Sequence, residues 1–142
     1  MVALNNKTQY LPVSSTRTST SEYDTGITEI ILSESEPPFA LALPMLAHLS
    51  HSCGERWFTW ITTTKVTKDV LIDAGFHLEN IRMVYAKNGE DAKWMAWEAL
   101  NNGRSGTVVA SIPALTRDEL KSLECASQNG VCRGLVLRMR TH

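Results

Sequence analysis

The sequence predicts an α/β fold of three layers, a mostly parallel five-stranded sheet with helices on both faces. Three observations carry that prediction. From Gly26 onward, short β-rich runs alternate with helical segments to the end of the chain. Most of the eight glycines fall between a helix and the following strand, where turns and caps are needed. The 142 residues are enough for one hydrophobic core and too few for two ordinary domains. Strand, helix, strand repetition returns the chain to the same end of the sheet each time, so consecutive strands run parallel.

Residues 1–26 are rich in Ser, Thr and Asn, as in the run from Ser14 to Ser21, and have no apolar period. They are expected to form a disordered tail ahead of a single α/β domain over residues 27–142. The strands are expected at Ile27 to Ser33, Arg56 to Thr62, Ile81 to Lys87, Gly106 to Ile112 and Val131 to Arg140. Either the first or the last of these is expected at a sheet edge, open to pairing across a two-fold axis. The helices are expected at Pro38 to Ser52, Thr67 to Ala74, Glu90 to Asn102 and Thr116 to Gln128. Thr116 with Glu119 spells a capping box, and Thr67 can cap its helix. Gly54, Gly75, Gly103 and Gly130 follow helix ends, where a left-handed residue is wanted. In the third helix, Ala92, Met95, Ala96, Ala99 and Leu100 form the buried stripe, with Trp97 at its edge. Trp94 falls on the opposite, solvated face and marks an interface or folds back over a loop.

Composition excludes several functions. With 14 basic and 15 acidic residues spread along the chain, there is no electrostatic reason to expect nucleic acid as a partner. The longest apolar stretch, Phe39 to Leu49, is too short to cross a membrane and contains Pro44. Three cysteines, Cys53, Cys125 and Cys132, show no C-x-x-C spacing and follow no signal-peptide pattern, which points to the cytoplasm. Cys125 and Cys132 read as buried small apolar residues. His48, His51 and Cys53 fall short of a closed zinc site, and His77 is distant in sequence, so no metal is expected.

The first strand runs through a short loop into an apolar helix, which is the layout of a phosphate-binding loop. Its residues contradict that chemistry. Ser33-Glu34-Ser35-Glu36-Pro37-Pro38 sets two carboxylates where a triphosphate would sit, and two prolines where N–H donors are needed. No strand ends in an Asp placed to hold magnesium. There is no G-x-S-x-G elbow, no H-E-x-x-H and no paired carboxylates, so neither catalysis nor a cofactor is expected.

Two consecutive segments then identify a family. Leu41-Ala42-Leu43-Pro44-Met45-Leu46-Ala47-His48-Leu49 is followed by Glu55-Arg56-Trp57-Phe58-Thr59-Trp60-Ile61-Thr62. This resembles the SulA family of SOS-induced bacterial cell division inhibitors, in which a helix with an internal proline leads to a strand of R-W-x-x-W-[LI]-T form. Asn102-Gly103, Val108-Val109, Leu115-Thr116 with Glu119, and Gly134 to Arg138 follow in the family's order. The resemblance implies a RecA-like core lacking its nucleotide loops, and inhibition by binding FtsZ, the tubulin-like division GTPase, where the next subunit would add. It also implies a homodimer, control by the LexA repressor and removal by the Lon protease. The family's longer C-terminal tail, which carries the Lon signal, is not matched.

For a contact surface, the strand end and the following helix stand out. Arg56, as a forked donor, suits a carboxylate on a partner. Ile61, Thr62, Lys65, Lys68 and Val70 lie where open α/β sheets bind their ligands. Arg56, Ile61 and Val70 are at or near family-motif positions; Lys65 and Lys68 are chosen on charge. Trp57 and Trp60 point to opposite faces and are assigned to packing. The competing reading is a non-catalytic RecA-like accessory protein of DNA damage tolerance, with RecA or a damage-tolerance polymerase as its partner.

Overall fold

A computed structural model of the chain describes residues 25–32 and 40–139. The tail expected over residues 1–26, apart from its last two, and the loop Ser33 to Pro38 lie outside the described residues. Five strands, β1 (Gly26–Leu32), β2 (Trp57–Thr62), β3 (Ile81–Tyr85), β4 (Ser105–Ser111) and β5 (Arg133–Met139), form one sheet in the order β1-β5-β4-β2-β3. Every neighbouring pair is parallel. The crossovers carry α1 (Leu43–Ser50), α2 (Lys68–Ala74), α3 (Gly89–Asn101) and α4 (Arg117–Gly130), and a 3-10 turn at Leu78–Asn80 precedes β3. The expected fold class is therefore found, with a sheet that is parallel throughout.

Alternation along the strands divides the core into two. Phe58 and Trp60 point to the face covered by α1 and α2, where they meet Leu46, Leu71 and Phe76. Ile61, one residue out of phase, points to the face covered by α3 and α4 and packs with Ala92, Ala96, Leu100 and Ala126. Helices on both faces explain why β4 and β5 are buried along most of their length.

The last strand is not an edge. β5 pairs with β1 on one side and β4 on the other, and the open edges are β1 and β3. Its run Leu135-Val136-Leu137 is apolar on both faces and buried, which an inner strand satisfies and an edge would not.

Two helix ends also differ from expectation. α1 begins at Leu43, which puts Pro44 in the first turn, where its missing N–H has no carbonyl to bond in any case. Gly54, Gly75 and Gly103 have positive φ as expected, but Gly130 is the last residue of α4, and Val131 takes the left-handed position at φ 50°. The reason is a close approach. A Cβ on Gly130 would stand 1.8 Å from the carbonyl oxygen of Leu100, at the end of α3. Gly130 therefore serves helix packing, and the cost of the left-handed residue falls on Val131. The other caps form as spelled. Thr67 accepts from Val70 N, and Thr116 and Glu119 bond reciprocally in a capping box.

Candidate functional site

The loop from β2 to α2 leaves the carboxyl edge of the sheet, and short-range hydrogen bonds fix it at several points. Thr62 Oγ1 accepts from Thr64 N at 3.0 Å and lies 3.2 Å from Thr64 O, a side-chain turn that starts the loop. Tyr85, at the end of the neighbouring edge strand, donates its hydroxyl to Val66 O at 3.2 Å. Thr67 closes the loop by capping α2. Lys65 and Lys68 stand exposed on this frame, and neither is paired with a carboxylate among the described residues. Val70 is half-buried and packs against the core under α1 and α2.

The structure separates the six candidate residues. Lys65 and Lys68 are exposed, on the loop and at the start of α2, whereas Val70, two residues further along that helix, turns toward the core. Ile61 is 1% exposed and Thr62 0%, so both act from inside, Ile61 as core and Thr62 as the start of the turn. Arg56 lies at the other end of β2, roughly 20 Å away at the usual rise of a strand. Its guanidinium donates to Gly130 O at 3.2 Å and Val131 O at 2.8 Å. There it satisfies carbonyls left over at the C-terminus of α4, where the helix dipole favours a cation.

The tryptophans also divide. Trp60 is fully buried, whereas Trp57 is 39% exposed and carries Arg82 over its ring, with Cζ 5.2 Å from the centroid. Trp94 is 62% exposed and stacks on Trp97 of its own helix, with centroids 5.8 Å apart and planes 10° apart. The packing expected of Trp57 is only partial because it is the first residue of β2, the one position of that strand that is exposed.

Burial holds two of the three thiols protonated. Burial pushes Cys132 up to about 12, and burial also raises Cys53. Cys125 is exposed, contrary to the expectation that it is buried, because Leu123, Ala126, Ser127 and Gly130 take the inward face of α4. Folding brings His77 to His51, with ring centroids 5.5 Å apart. No three metal-ligating side chains gather among the described residues. No helix among them is long and apolar enough to cross a membrane.

The family described as "Cell division inhibitor SulA" matches residues 25–134. A protein named cell division inhibitor SulA from Pseudomonas aeruginosa is 36% identical over 100 residues, which is 70% of this chain and 62% of the relative. One of the same name from Serratia marcescens is 26% identical over 114 residues, covering 79% of this chain and 67% of that protein. The chain thus spans less than two thirds of the length of the first of these relatives. The crystal structure of SulA from Pseudomonas aeruginosa superposes with a TM-score of 0.72 at 33% identity, over 80% of this chain and 98% of that one. The matched region runs from the start of β1 into β5 and includes every helix described above, and on that ground the chain belongs to the SulA family of cell division inhibitors.

Proposed function

We propose that this chain is a cytoplasmic inhibitor of cell division in the SOS response, which binds FtsZ and blocks its polymerisation without covalent chemistry. The observation that carries the reading is the family match from β1 into β5, across all four helices. The β2–α2 loop supports it as the place of contact. A fixed loop loses little entropy on binding, and its two unpaired lysines suit an acidic surface on a partner. Lys65 and Lys68 make the contact, and Val70 backs them where α2 meets the core. Ile61 and Thr62 hold the loop from within, and Arg56 keeps α4 against the start of β2. Two chains pair through one of the open edges, β1 or β3, to give a homodimer.

Sedimentation of FtsZ filaments in GTP tests this directly. The chain at near-stoichiometric dose is expected to remove most polymer from the pellet, and unchanged pellets would overturn the reading. Lys65→Glu with Lys68→Glu is expected to raise the required dose at least tenfold. A double variant as potent as the parent would move the contact elsewhere on the molecule.

A further inference from the structure

α3 and α4 both begin at the carboxyl edge of the sheet and open a cleft of about 360 Å³ between them. Its apolar lining is Trp97, Leu115 and Leu123, and Trp94 stands exposed beside Trp97. Glu90 and Glu119 flank it. Between them Lys93 Nζ is held at 2.8 Å from Glu90 and 3.0 Å from Glu119, so its ammonium is committed to carboxylates. Lys93 is 18% exposed, while Glu90 is 81% exposed. The first turns of the two helices carry four carboxylates, Glu90, Asp91, Asp118 and Glu119, against the cations of Lys93 and Arg117. That excess outweighs the roughly half positive charge at each helix start.

We infer that this cleft is a second docking site, for an arginine flanked by aliphatic residues on a protein partner, independent of the β2–α2 loop. A guanidinium stacks on the stacked indoles of Trp94 and Trp97 and reaches the carboxylate of Glu90, while the aliphatic neighbours cover Leu115 and Leu123. Charge selects this occupant among those that exposed tryptophans attract. Bases of single-stranded nucleic acid also stack on indole, but their phosphates would meet the carboxylates. A second copy docking by two-fold symmetry would set one Glu90 cluster against another.

The test follows the indole N–H signals of the full chain by NMR during titration with the peptide acetyl-Gly-Leu-Arg-Leu-Gly-amide. Saturable shifts at Trp94 and Trp97 are expected, with Trp60 unmoved. Replacing the arginine by citrulline or glutamate is expected to weaken binding at least fivefold, as is Glu90→Gln in the protein. Trp94→Ala is expected to abolish the shift at Trp97 while leaving the melting temperature and the dose needed to clear FtsZ filaments unchanged, which separates this site from the proposed function. Absence of saturable shifts, equal affinity for the citrulline peptide, or tighter binding of an oligothymidine would overturn the inference. So would a dimer that Trp94→Ala dissociates, since the face would then belong to a second copy.

Discussion

The two faces of the sheet are filled in opposite ways. Under α1 and α2 the space is taken by large side chains. Phe76 meets Phe58 edge-on at 5.8 Å and stacks beside Trp60 at 6.2 Å, and the helices above are only 8 and 7 residues long. Under α3 and α4 the buried filling is aliphatic, with Ala92, Ala96, Ala110 and Ala126 set between Ile61, Leu100, Ile112 and Leu123, and the helices are 13 and 14 residues long. There the backbones themselves approach, Gly130 against Leu100 O and Gly134 against the Leu100 side chain and Ile27. Short helices need large residues to reach the sheet and bury enough surface. Longer ones seated on small residues gain contact along their whole length. The first face is therefore sensitive to atoms removed and the second to atoms added.

The largest effect is expected where the first face loses its largest residue. Trp60→Ala should cost about 3–5 kcal/mol in chemical denaturation, since short helices cannot sink far into the gap. Phe58→Leu should cost much less. If the two losses prove equal, the aromatic packing is not what holds this face. Gly130→Ala should follow at about 3 kcal/mol, because the added methyl meets a backbone carbonyl that has no rotamer to escape into. Gly75→Ala is the control. It puts strain on a left-handed residue with nothing within 4 Å of the new atom, and about 1 kcal/mol is expected. A Gly130→Ala loss as small as the control's would show that α3 and α4 separate easily, and the contrast between the faces would fail.

This contrast marks where sequence reading stops. The strands, the capping box and the Thr67 cap were legible because each is written in residues adjacent along the chain. Gly130 reads as a left-handed cap because glycine commonly ends helices; its contact with Leu100 belongs to another helix 30 residues earlier. Arg56 reads as a free fork for the same reason, since the carbonyls it bonds lie 74 and 75 residues away. The apolar positions of β5 show that it is covered, yet not which strands flank it. At the candidate site, the charge of Lys65 and Lys68 was legible and their exposure is found. The rigid frame beneath them was not, because it depends on Tyr85 crossing from the neighbouring strand.

Arg56 joins the two faces, since it leaves the strand that carries Trp60 and grips the end of α4. Arg56→Lys keeps the charge and loses the fork, so about 1 kcal/mol of stability is expected to go. Arg56→Ala should cost somewhat more. Under the proposed function, either variant should clear FtsZ filaments at the parent's dose at a temperature where both are folded. A tenfold loss of potency with unchanged stability would instead make Arg56 a direct contact.

The smallest effect is expected from Glu119, whose carboxylate closes the α4 capping box and bonds Lys93 across to α3. The backbone N–H of Thr116, and after it the Lys93 ammonium, hold Glu119 below the usual carboxylate range. Its folded value is depressed relative to the unfolded one, so its contribution is complete above the unfolded value and is lost as pH falls through the folded value. Lys93 is raised, by Glu90 first and then Glu119, so its share is complete below the ordinary lysine value and fades as pH rises through the folded one. Glu119→Gln should therefore flatten the acid limb of a plot of melting temperature against pH and leave the neutral plateau slightly lower. Thr67→Ala, which removes the cap of α2 on the opposite helical layer and no titrating group, should lower the whole curve evenly. If the two variants trace the same curve, the ionic link between α3 and α4 adds nothing to a face already held by close backbone packing.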